Sequence, residues 1–161
     1  ATVEEIFPGI VVEKGVTDAA NMGAAMAPAA CDTLLNYFEA SGTSPDDYDM
    51  VLSGDLGSEG QIILGELLAS SGVSASEKLF DCGMMIYDAE SQDVHAGGSG
   101  CGCSAVVLAS HILPRLKKGE LSNILLYGTG AMMSPSSLKQ GQPIPAVAHL
   151  LHLRSPEAGV K

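Results

Sequence analysis

The residues best suited to chemistry crowd into one run, His95-Ala-Gly-Gly-Ser-Gly-Cys-Gly-Cys-Ser-Ala105. Four glycines fall between Gly97 and Gly102, and an apolar stretch, Val106 to Leu116, follows at once. A glycine-rich turn feeding a helix aims several backbone N–H groups at one point, where the positive end of the helix dipole also lies. Such a turn suits a phosphate, a carboxylate or another oxyanion.

Other chemistries fit the run less well. The dinucleotide fingerprint fails because Cys103 stands where the third glycine belongs after Gly98 and Gly100. Gly128 and Gly130 fail in the same way at Met133, and no phosphate loop ending Gly-Lys-Ser/Thr exists. Ser99, in Gly97-Gly-Ser-Gly-Cys101, is one residue from a hydrolase elbow, but an elbow needs a strand running straight into the serine. A helix N-cap is the ordinary role for Ser99. Cys101 and Cys103 have a zinc-ligand spacing without a second pair, so packed, reduced thiols are expected. Asp55, in Ser53-Gly-Asp-Leu-Gly57, follows a strand end, where open α/β sheets place ligands. Asp88 and Asp93 are ordinary turn residues. With Asp55 they would meet a cation such as Ca²⁺ only if the fold gathered them. His149 and His152 lie three apart on one strand, hence on opposite faces, and cannot share a ligand. His111 is an ordinary helix histidine.

These residues need elements to position them. Strands are expected over Phe7–Lys14, Tyr48–Ser53, Gly83–Tyr87, Asn123–Tyr127 and Ala146–Arg154. Helical spacing of Met22, Met26, Ala30, Leu34 and Phe38 predicts a helix over Asn21–Ala40, with Pro28 near its first turn or at a kink. A second helix is expected from an N-cap at Ser58 to Ser70, and a third over Gly100–Lys117. The third is apolar on nearly every side in its first half, which predicts burial on both sides. Pro135–Pro145 is expected to be a polar loop. The order βαβαβαββ describes an α/β layered domain with a mixed five-stranded sheet over residues 1–155, and a tail over 156–161.

With 161 residues, 46% of them hydrophobic, one domain with a sizeable core is expected. The net charge of −11 argues against nucleic acid and against a polybasic membrane patch. No apolar run reaches the ~18–20 residues that span a bilayer. The start, Ala1–Val12, does not have the pattern of a signal peptide.

Several segments together resemble the SpoVAD (stage V sporulation protein AD) family of spore-forming bacteria. They are Asn21-Met-Gly-Ala-Ala-Met-Ala-Pro-Ala-Ala30, Ser53-Gly-Asp-Leu-Gly57, the run from His95 to Ala105, Gly128-Thr-Gly-Ala-Met-Met-Ser-Pro135, and Gln140-Gly-Gln-Pro-Ile-Pro145 with Ala148-His149. The resemblance covers the C-terminal half of that family's chain and implies half of a thiolase-like fold. The helix over Gly100–Lys117 would then be sandwiched against a missing N-terminal half, and this half alone would expose an apolar face and self-associate as a homodimer.

The family resemblance implies a non-catalytic protein that binds dipicolinic acid, alone or as the Ca²⁺ chelate, and aids its uptake into the developing spore. It further implies SpoVA membrane proteins as partners and a place beside the spore inner membrane, with no resident cofactor. The residues expected at the ligand are Ser53, Gly54, Asp55, His95, Gly97, Gly98, Ser99, Gly100 and Cys101. The catalytic relatives, thiolases and ketoacyl synthases, carry a histidine after the second strand and an asparagine in the glycine turn. Ser53-Gly-Asp55 and Gly98 stand there instead. The alternatives are a condensing enzyme with altered residues and a scaffold with a vestigial pocket.

Overall fold

A computed structural model describes residues 1–156. Its strands are β1 (Thr2–Phe7), β2 (Met50–Ser53), β3 (Leu79–Asp81), β4 (Asn123–Ala131) and β5 (Ala146–Arg154). They form one mixed sheet in the order β1-β5-β4-β2-β3. β4, β2 and β3 run parallel, while β5 is antiparallel to both of its neighbours. Helices α1 (Met22–Ser41) and α2 (Gly57–Ser70) cover one face. Their core joins Ala30, Leu34, Leu64 and Leu68 to Val51, Leu125, Tyr127 and Leu150. On the other face lie α4 (Cys101–Val107), a π turn (Leu108–Ile112) and α5 (Leu113–Lys117), which pack Cys103, Val107, Ile112 and Leu116 on Met50, Leu52, Ile124 and Leu153. Two short helices, α3 (Cys82–Met85) and α6 (Pro135–Lys139), stand beyond the elements expected from sequence.

Small residues set the helix spacing. α1 crosses α2 at Gly23 and Gly60, where a Cβ on Gly23 would sit 2.9 Å from the Gly60 nitrogen. α1 begins at an Asn21 N-cap, whose side chain accepts the Ala24 N–H, and ends at left-handed Gly42. Pro28 lies inside this helix rather than in its first turn.

The structure corrects five expectations. The first strand is Thr2–Phe7, not Phe7–Lys14, because Pro8 has no N–H to give a ladder; beyond it only Val12 forms an isolated bridge, to Ala146. The third strand ends at Asp81, and residues 82–85 are helical because the Asp81 side chain caps them by accepting the Met84 N–H. α2 starts at Gly57 without a serine cap, since the Ser58 N–H is turned to the Ala96 carbonyl. Residues 135–139 form a helix, capped reciprocally by Ser134 and Ser137.

The fifth correction concerns the helix at 101–117, which is buried on one side only. Val107, Ile112 and Leu116 face the sheet, while Ala105, Val106 and Ala109 are exposed. The π turn also interrupts it, next to Pro114, which has no N–H for the carbonyl four residues back. Of the expected tail, residues 157–161 lie outside the described residues.

Candidate ligand cleft at the strand ends

Parallel strands β2 and β3 end side by side at Ser53 and Asp81, both buried. The Asp81 carboxylate gathers the local donors. Its Oδ2 accepts the Ser53 hydroxyl at 2.5 Å, the Leu56 N–H at 2.8 Å and the Gly57 N–H at 3.2 Å, and its Oδ1 accepts the Met84 N–H at 3.0 Å. The Gln61 amide donates to Ser53 Oγ at 2.5 Å and to the Phe80 carbonyl at 3.0 Å. The start of α2 is thereby tied to the ends of β2 and β3, and Asp55 is held between them.

The glycine turn packs onto this corner. The Gly98 N–H donates to the Gly83 carbonyl at 2.8 Å, the Gly97 N–H to Val94 at 2.9 Å, and Ala96 accepts the Ser58 N–H at 3.0 Å. The close approach requires glycines: a Cβ on Gly83 would fall 2.2 Å from the Gly98 carbonyl oxygen. Gly100, at φ +97°, donates its N–H to Asp55 Oδ2 at 2.9 Å, and the Ser99 hydroxyl donates to the same oxygen at 3.1 Å. The amides of Gly97, Gly98 and Gly100 are thus engaged within the chain, with the Asp55 carboxylate seated at the turn as an internal anion.

A cleft of about 150 Å³ remains where the N-terminal ends of α1 and α2 meet the turn. Asn21, Met22, Gly57, Gly97 and Ser99 line it, with Asp55 and Glu59 as its carboxylates. Of the residues expected at a ligand, Asp55, Gly97, Gly98 and Ser99 border the cleft. Ser53 and Gly54 lie buried behind it, and Gly100 holds Asp55.

His95 is not brought in. Its backbone takes a left-handed φ of +49°, and its exposed ring lies 3.9 Å from the equally exposed Asp93. Cys101 is exposed at the start of α4. Among the described residues no three His, Cys, Asp or Glu side chains are grouped to hold a metal, so Asp55, Asp88 and Asp93 remain apart.

Asp81, Gln61 and the Asn21–Gly23 corner escaped the sequence reading. The available signal for Asp81 was a lone carboxylate at the end of a short apolar run, Leu79-Phe80.

Electrostatics keep the nearby thiols inert. Burial pushes the Cys82 thiol up to about 12, with Asp81 adding to it, and burial raises Cys103 with help from Asp55. The Cys103 thiol donates weakly to the Gly54 carbonyl at 3.8 Å. A more spacious groove, about 710 Å³, lies elsewhere, between α2 and β3, walled by Ile62, Phe80 and Met84.

The molecule is a layered α/β domain with a small cleft at its strand ends. The family model for stage V sporulation protein AD (SpoVAD) matches residues 1–154. Stage V sporulation protein AD of Bacillus subtilis (strain 168) is 45% identical over 141 residues, which cover 88% of this chain and 41% of that protein. The chain belongs to the SpoVAD family of sporulation proteins and spans less than half the length of this curated relative. No helix among the described residues is long and apolar enough to cross a membrane.

Proposed function

We propose that this chain is a non-catalytic ligand-binding half of a sporulation protein, taking dipicolinic acid, alone or as its Ca²⁺ chelate, for uptake into the developing spore. The observation that carries the reading is the meeting of Asp55 with the Ser99–Gly100 turn beside the N-terminal ends of two long helices. The turn amides are taken up within the chain, so the attraction for the two carboxylates of dipicolinate comes from the helix N-terminal ends that face the cleft. Asp55 and Glu59 add negative charge to the same cleft, which the cation of a chelate would offset.

The reading includes a second, thiolase-like half as partner. The outward side of α4 and the π turn, with Ala105, Val106 and Ala109 exposed, supports it. So do exposed Val3 and Ile6, whose cross-strand neighbours Leu153 and Leu151 belong to the α4–α5 side of the core. Uncovered apolar residues of this kind mark a docking face. SpoVA membrane proteins and a position beside the spore inner membrane complete the proposal. A homodimer through the same face is the form expected when the second half is absent.

Calorimetric titration of dipicolinate, with and without Ca²⁺, into this chain and into a full-length family member tests it. Saturable binding weakened by Asp55→Ala supports the cleft. Binding by the full-length protein alone moves the pocket into the other half. No binding by either defeats the reading and favours a scaffold.

A further inference from the structure

We propose that Asp81 is the positioning residue of the cleft, a single buried carboxylate whose two oxygens hold two separate arms of the site in register. This rests on reading the cleft as the ligand site. The Oδ2 arm consists of Ser53 Oγ, Leu56 N–H and Gly57 N–H, which bracket Asp55 on both sides. The Oδ1 arm is the Met84 N–H, which caps α3 and so places Gly83. The Gly83 carbonyl in turn receives the Gly98 N–H at 2.8 Å and holds the glycine turn. The meeting of Asp55 with Gly100 depends on the placement of both arms, and among the described residues Asp81 is the one side chain bonded to both.

The chemistry of the site requires a carboxylate. Ser53 Oγ accepts from Gln61, and its one proton goes to Asp81 Oδ2 at 2.5 Å, the closer and charged acceptor, rather than to the Phe80 carbonyl at 3.2 Å. Every group bonded to Asp81 is therefore a donor, and Asp81 is only 2% exposed, so water cannot replace a lost acceptor. An asparagine offers one oxygen and one NH₂. Its lowest-cost orientation keeps the oxygen against three donors and turns the NH₂ toward the Met84 N–H. Asp81→Asn thus releases the turn arm while retaining the strand-end arm. A general structural role would loosen both alike.

The test is amide hydrogen exchange and dipicolinate titration on the chain and three variants. Asp81→Asn is the first. Met84→Pro, which removes the donor facing Oδ1 in the first turn of α3 and also restrains Gly83 before it, is the second. Leu68→Ala, a core truncation on α2 remote from the cleft, controls for lost stability. In Asp81→Asn and Met84→Pro, exchange at Gly98 and Gly100 is expected to rise about tenfold or more, while Leu56 and Gly57 stay close to the parent. Dipicolinate affinity is expected to fall by about tenfold in the same two variants and to hold in Leu68→Ala. Uniform acceleration across both arms, or an unchanged Gly98, overturns the proposal. If the parent itself binds no dipicolinate, the cleft fails as the ligand site of this chain, while the exchange pattern still decides the role of Asp81.

Discussion

The Asp55 carboxylate accepts the Gly100 N–H at 2.9 Å from 45 residues away in the chain. It fills the place a bound anion would take at this turn, so its removal has two consequences. Asp55→Ala should cost about 1 kcal/mol, the usual loss when a capping side chain is truncated. It should also speed amide exchange at Gly100. Asp55→Asn, which keeps an acceptor oxygen, should recover most of the loss. Urea unfolding with site-resolved exchange measures both, and an unperturbed Asp55→Ala variant would contradict the contact.

Gly83 and Gly98 meet backbone to backbone. Alanine at 83 would gain about 1 kcal/mol of helix propensity. Its Cβ, however, would fall 2.2 Å from the Gly98 oxygen and 2.9 Å from Asp81 Oδ1. Overpacking of this kind costs about 1–3 kcal/mol, and more where backbone must move, so the net effect of Gly83→Ala is destabilising. Chemical denaturation reads it directly, and a gain in stability would mean that the turn does not lie against α3.

Tyr127 is fully buried, and among the described residues its hydroxyl has no hydrogen-bond partner of good geometry, although Ser53 and Gln61 lie close enough to act on it. Burial holds its pKa far above the ordinary phenol value. A buried hydroxyl without a partner costs stability, so Tyr127→Phe should be neutral or stabilising by up to about 1 kcal/mol. A loss larger than that would reveal a bond to the hydroxyl that the structure does not contain.

His152 is half-buried beside Tyr37 and Tyr48, with one nitrogen bonded to Asn123 Oδ1 and the other 3.2 Å from the Tyr37 hydroxyl and 3.8 Å from Glu5. Burial lowers its pKa below the ordinary 6.5, and the nearby Glu5 only partly opposes this. The unfolded chain therefore takes up the proton first as pH falls. The contribution of the neutral ring is complete above pH 6.5 and is lost progressively below it, until the folded-state ring titrates. His152→Gln should flatten the decline in stability between about pH 7 and pH 5. Equal slopes for parent and variant would show that the ring keeps its ordinary pKa when folded.

Patterns that act over a few residues were legible in the sequence. The spacing of Met22, Met26, Ala30, Leu34 and Phe38 located α1 to within a residue or two, because one buried helix face imposes that period. The apolar run Ala146–Arg154 located β5, and the motifs at Ser53–Gly57 and Gly97–Gly100 marked the two segments that meet at the cleft. The family itself was also readable from those motifs, since they are spread along the chain.

Only the tertiary structure decided the rest, because it depends on partners distant in sequence. The helical state of residues 82–85 follows from an Asp81 cap that a strand pattern cannot reveal. The one-sided burial of α4 depends on what lies opposite, and an all-apolar period carries no information about that. His95 sits in the motif that marked the site, yet its left-handed backbone leaves the ring in solvent. Asp81 attracted no attention in sequence, yet it binds four donors at the junction of both arms, because a carboxylate acquires that role only when three chain segments deliver their N–H and O–H groups to it.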